Sequence, residues 1–207
     1  MRNESMIFGR FCLMTHSPSR HEDQRMNFFI VLVILMLCIS FFSLYPQWLK
    51  WLMWDREAID AGQWWRLLSA HVIHLDNRHL LFNMIGLLLI IDTLCQAMSA
   101  RELASLLLMC ALGVGGLLLH RQSSLQWYVG LSGVLYGLWV AGALQTWASG
   151  RKGVALAAGM TCVVKLIFFN DAITEMPVVS IAHVYGAESG LVWACLWRVS
   201  ERKVIFD

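Results

Sequence analysis

The chain has 207 residues, 58% of them hydrophobic and 14% charged, with a formal net charge of +2. Soluble domains carry about 25% charged residues, so this composition, with a mean hydropathy of +0.59, excludes an ordinary water-soluble globule. The small, dispersed charge, with no run of Lys and Arg alternating with aromatics, also excludes a nucleic-acid groove.

Residues 1–27 form a polar tail carrying Arg2, Arg10, Arg20 and Arg25, read as cytoplasmic. The span that follows ends without the small-residue cleavage site of a secretory signal, and Met26 is a second candidate start. A hydrocarbon core about 30 Å thick needs about 20 apolar residues per helix. Six such runs follow, at 28–45, 79–98, 103–119, 131–148, 154–169 and 181–199. They predict an all-α membrane protein, a bundle of six transmembrane helices over residues 28–200, with 201–207 as a short cytoplasmic tail. Between the first two runs stand Trp48, Trp51, Trp54, Trp64 and Trp65. Amphipathic indoles favour the membrane interface, and the apolar spacing at 48, 51 and 52 predicts a short helix lying in the outer leaflet. Cys38, Cys95, Cys110, Cys162 and Cys195 fall inside the runs and Cys12 in the tail, so the outer loops offer no cysteine pair for a disulfide.

An N-terminus on the inside places ten Lys and Arg on the cytoplasmic side and five outside, with Lys165 in a span. Cytoplasmic loops carry such an excess. In a six-span serpentine the second, fourth and sixth helices all begin on the outer side. His79 and Asn83, Ser132, and His183 lie in the first turns of those helices and so share one depth, whichever side the N-terminus occupies. Small residues recur every four positions at Gly133, Gly137 and Ala141, and again at Ala182, Gly186, Gly190 and Ala194. Membrane helices approach closely along such stripes, which predicts that the fourth and sixth helices pack face to face with Ser132 near His183. A serine beside a histidine base is an activated nucleophile, and an ionisable residue within a span suggests function. Close packing and a structural hydrogen bond account for the same residues.

Gly130-Leu131-Ser132-Gly133, followed by Ala182-His183 and Gly186, and preceded by Gln63-Trp64-Trp65-Arg66 with His74, His79 and Asn83, resembles the rhomboid family of intramembrane serine proteases across residues 28–200. The resemblance implies a Ser132–His183 dyad. It implies an oxyanion hole made by the side chains of His79 and Asn83 and the backbone N–H of Ser132. Gly130, Gly133, Tyr136 and Gly186 would support this site, with Tyr136 packed on the imidazole. No carboxylate is placed to orient His183: Glu188 is too far along the same helix, Lys165 is near a span end where it can snorkel, and Asp92 takes a structural role.

The resemblance implies no metal and no cofactor. It implies transmembrane or C-terminally anchored protein substrates, cut near the outer boundary of a bacterial inner membrane by a site facing the periplasm. The compact chain also looks like the rhombosortase branch, whose members are linked to proteins ending in Gly-Gly, an apolar span and a basic tail; a general rhomboid is the open alternative. Two further readings stand beside these. One is a catalytically inactive rhomboid-like binder of membrane clients. The other is a haem- or metal-binding membrane protein, because His71, His74, His79, His120 and His183 lie near one interface and imidazole is the commonest metal ligand.

Overall fold

The computed structural model describes residues 45–168 and 180–204, with a few helical positions between 27 and 41. Most of the expected first span lies outside the described residues, as do 169–179 and both tails. The described chain runs α1 (Pro46–Leu52), β1 (Trp54–Asp55), α2 (Arg56–Asp60), α3 (Arg66–Ser69), α4 (Asn77–Leu94), α5 (Ala100–Arg121), β2 (Trp127–Tyr128), α6 (Ser132–Ala148), α7 (Lys152–Phe168) and α8 (Ser180–Val204).

The helix boundaries have local causes. Asp76 caps α4 by accepting the His79 N–H at 2.8 Å. Ser99 and Glu102 form a capping box at the start of α5. That box needs a turn before it, so α4 stops at Leu94 with Cys95 as its cap, earlier than the apolar run to residue 98 predicts. At its far end α8 continues beyond the end of the apolar run at residue 199, to Val204. Among the described residues, α4 and α5 are the helices both long and apolar enough to cross a bilayer by themselves. The 17-residue α6 and α7 are shorter.

Apolar side chains fill the core, with Leu87, Leu103, Leu106 and Leu138 fully buried, and also cover the outside. Leu81, Phe82, Ile85 and Leu89 on α4, Leu156, Met160 and Ile167 on α7, and Leu191 and Leu196 on α8 face outward. Asn83, Gln145, His183 and Ser189 are buried. Contiguous outward apolar surface of this kind marks a membrane or partner interface, and polar groups turned inward are the pattern expected in lipid.

α6 stands at the centre, against α4, α5, α7 and α8. Its contact with α8 is backbone to backbone. The Gly133 carbonyl lies where a Cβ on Gly186 would stand, and the Gly137 carbonyl does the same at Gly190. In return, a Cβ on Gly133 would be 2.9 Å from the Ala182 carbonyl, and one on Gly137 would be 2.8 Å from that of Gly186. The two small-residue stripes therefore face each other as their spacing predicts. α7 packs on α6 but touches α8 little.

The segment before α4 is held down by two arginines. Arg56 donates to four carbonyls around the end of α5: Leu118 at 3.2 Å, Leu119 at 3.1 Å, Gln122 at 2.6 Å and Leu125 at 3.0 Å. These include the orphan acceptors of a helix C-terminus, where positive charge is also favoured. Arg66, only 5% exposed, ties α1 to α3 through Lys50 O at 2.8 Å and Met53 O at 2.7 Å. β1 then pairs antiparallel with β2, Trp54 opposite Tyr128. The Trp54 indole N–H reaches Gly115 O at 3.1 Å. By this route the segment before α4 is fastened to the turn that precedes Ser132.

Candidate active site

The turn between β2 and α6 depends on one glycine. Gly130 has φ +115°, a conformation open to glycine and strained for other residues. Its N–H donates to Ala70 O at 2.8 Å. A Cβ at this position would stand 2.6 Å from His79 Cε1, 2.7 Å from His79 Nε2 and 3.8 Å from Asn83 Nδ2. Glycine thus serves twice, for the backbone turn and for the close approach of two side chains from α4.

Leu131 is the N-cap and Ser132 the first residue of α6, so the Ser132 N–H is one of the four that a helix leaves unused. The N-terminal end also carries the positive pole of the helix dipole. His183 sits in the first turn of α8, 8% exposed, and its Nε2 is 3.0 Å from Ser132 Oγ. The glycine contacts between α6 and α8 begin at this level, which brings residues 51 apart in sequence into hydrogen-bond distance. One turn along α6, the Tyr136 ring stacks on the His183 ring with centroids 4.4 Å apart and planes at 20°.

His79 and Asn83, four residues apart on α4, share a helix face and lie over the Gly130 turn. Asn83 Nδ2 and His79 Nδ1 are buried and have no hydrogen-bond partner among the described residues. Buried polar atoms in that condition are rare. The structure therefore gathers Ser132, His183, His79, Asn83, Gly130, Gly133, Tyr136 and Gly186 around one point at the ends of α4, α6 and α8.

The other histidines have separate surroundings. The His74 ring stands edge-on to His79 with centroids 5.0 Å apart. Burial pulls its pKa down to about 3, with His79 adding to the effect and Asp76 opposing it. His71 is 2% exposed, with Nε2 3.0 Å from Ala111 O and Nδ1 3.3 Å from Gly130 O. Burial lowers its pKa to about 4 against the pull of those carbonyls. His120 is exposed at the end of α5. Among the described residues no three His, Cys, Asp or Glu side chains are grouped to hold a metal ion. Glu188 pairs with Arg121 of α5 at 3.1 Å, and Asp92 and Lys165 are exposed.

Sequence reasoning missed Tyr128. Its hydroxyl donates to Gly130 O at 2.7 Å, its ring meets His71 edge-on at 5.6 Å, and it is 3% exposed. Burial raises its pKa, so the phenol stays neutral, while the Gly133 N–H and the nearby Ser132 hydroxyl pull the other way. Position four before a candidate nucleophile and an aromatic flanked by Trp127 and Val129 gave no signal of this.

Residues 61–199 match the family model of the Rhomboid domain, a stretch that contains every residue of this cluster. A search of curated proteins finds no match to the chain.

Proposed function

The chain belongs to the rhomboid family, whose members are intramembrane serine proteases, and from that premise we propose that it is an endopeptidase working inside the bilayer through Ser132 and His183. The observation that carries this reading is the 3.0 Å approach of His183 Nε2 to Ser132 Oγ.

In this mechanism His183 Nε2 takes the Ser132 hydroxyl proton as Oγ attacks the scissile carbonyl carbon. The carbonyl oxygen becomes an oxyanion, held by the Ser132 N–H with the side chains of Asn83 and His79. The buried Asn83 amide with no acceptor supports that role, because donors placed in advance need no reorganisation when charge develops. Collapse of the tetrahedral species breaks the C–N bond, and His183 passes its proton to the leaving amine. Water then loses a proton to His183 and attacks the acyl ester, releasing the carboxylic acid and restoring Ser132. Stacking on Tyr136 holds the imidazole in line through both halves.

The layout we propose has six spans over residues 28–200, flanked by cytoplasmic tails at 1–27 and 201–207. The dyad faces the periplasm from a bacterial inner membrane. The outward apolar faces of α4, α7 and α8 support the bilayer setting. The substrate is the anchor of an exported protein, cut near the outer membrane boundary, and the compact core favours a C-terminal Gly-Gly, apolar and basic anchor of the rhombosortase kind.

The test is covalent labelling of purified protein by a fluorophosphonate, comparing wild type with Ser132→Ala and His183→Ala. Labelling lost in both variants supports the dyad; labelling that survives Ser132→Ala sinks it. Cleavage of a Gly-Gly anchor against an ordinary transmembrane anchor in proteoliposomes then separates the two substrate classes.

A further inference from the structure

The Ser132 turn has a support that the dyad chemistry does not use. The Gly130 carbonyl, two residues before the nucleophile, accepts the Tyr128 hydroxyl at 2.7 Å. With its proton given to that carbonyl, the Tyr128 oxygen can only accept from other groups, and the Gly133 N–H is the donor that meets it, which leaves the Ser132 hydroxyl to His183. A Cβ on Gly133 would stand 3.2 Å from this oxygen, so the phenol lies directly behind the first turn of α6. One buried hydroxyl thus bridges the residue before Leu131 and the residue after Ser132.

The ring is held as firmly as the hydroxyl. It is 3% exposed, meets His71 on one side, and belongs to β2, which pairs with β1 and through Trp54 is anchored to Gly115. Phenylalanine would fill the same space but leave the Gly130 carbonyl without this donor and remove the bridge. Geometry of this kind matters to rate more than to fold. Ser132 N–H and Oγ both swing with the turn, and small misplacements of reacting groups cost large factors.

We propose that Tyr128 is a positioning residue of the protease, its hydroxyl clamping Gly130 and Gly133 so that the Ser132 Oγ and N–H point respectively at His183 and at the oxyanion. The inference rests on the Ser132–His183 reading and adds to it a tyrosine that never touches substrate.

The experiment measures fluorophosphonate inactivation of detergent-purified wild type, Tyr128→Phe, Trp54→Phe and Ser132→Ala, resolving the inactivation rate constant from the half-saturating probe concentration and recording the melting temperature of each. The expected result is a rate constant about 10- to 100-fold lower in Tyr128→Phe, with half-saturation unchanged. Trp54→Phe, which loosens the same pair of strands without touching the clamp, lowers the melting temperature and keeps the wild-type rate constant. A wild-type rate constant in Tyr128→Phe overturns the proposal while leaving the dyad standing. An equal loss in Trp54→Phe also overturns it, since the effect is then general loosening. Wild type that does not label, or labels equally as Ser132→Ala, overturns the protease reading and this one with it. Should Tyr128→Phe not fold, a ring-fluorinated tyrosine installed at position 128 keeps shape and hydroxyl but makes the phenol a stronger donor and weaker acceptor. A changed rate constant then supports the clamp, and an unchanged one overturns it.

Discussion

The carbonyl oxygen of Gly133 occupies the space that a Cβ on Gly186 would need. The two glycines are one residue beyond Ser132 and three beyond His183, so the separation of the two helices at this point sets the distance from Ser132 to His183. Gly186→Ala must push α8 away from α6. Overpacking of this type costs about 1–3 kcal/mol, and a shift of about 1 Å in reacting groups costs on the order of 100-fold in rate. The variant is expected to stay helical, to melt at lower temperature, and to lose nearly all labelling by a serine-directed probe. Labelling at the wild-type rate would show that the helix gap does not set the dyad.

Removing an oxyanion donor should slow turnover without disturbing the dyad. Asn83→Ala is expected to lower kcat on a cleavable anchor about 100- to 1,000-fold, with KM little changed. His79→Ala should fall in the same range. The check is steady-state cleavage in proteoliposomes, and a change in KM alone would assign Asn83 to substrate binding.

Acid should destabilise the fold through His71 and His74. Both are held neutral, with pKa values near 4 and 3, against 6.5 when unfolded. The unfolded chain therefore binds more protons between these limits, and stability rises with pH there. The contribution is fully present above pH 6.5 and is lost as pH falls towards 4 and then 3. At about pH 5 the slope approaches 1.4 kcal/mol per pH unit for each histidine. Melting in detergent across this range should show the decline, and His74→Asn should flatten it by about half.

Arg56 offers a contrast, a residue that matters for stability and not for chemistry. A lysine ammonium has no planar fork and cannot serve the four carbonyls that Arg56 reaches at the end of α5. Arg56→Lys is expected to lose about 2 kcal/mol of stability, read as a lower melting temperature, while well below that temperature its labelling rate matches wild type.

What could be read from the sequence follows the range of the interaction that encodes it. The stripes on α6 and α8 repeat every four residues, so the helix pairing was visible in the spacing of Gly133, Gly137, Gly186 and Gly190. His79 and Asn83 are one helical turn apart, which places them on one face before any fold is known. The β1–β2 pairing was not visible. Two-residue strands have no periodicity, and Trp54 meets Tyr128 across 74 positions of chain. Tyr128 was hidden for the same reason, since its contact with the turn at Gly130 depends on where that strand is pinned. Arg56 read as an ordinary outer charge because an arginine used to cap a distant helix looks like any other in one dimension. His71 stood among candidate metal ligands until its ring nitrogens were found against the carbonyls of Ala111 and Gly130.

The slight contact between α7 and α8 bears on motion. α6 and α8 touch backbone to backbone, so prising them apart would separate Ser132 from His183. α7 packs mainly on α6 and only slightly on α8, so moving it would lose less packing than separating α6 from α8. Among the described residues the packing is thus tightest where Ser132 faces His183 and loosest between α7 and α8.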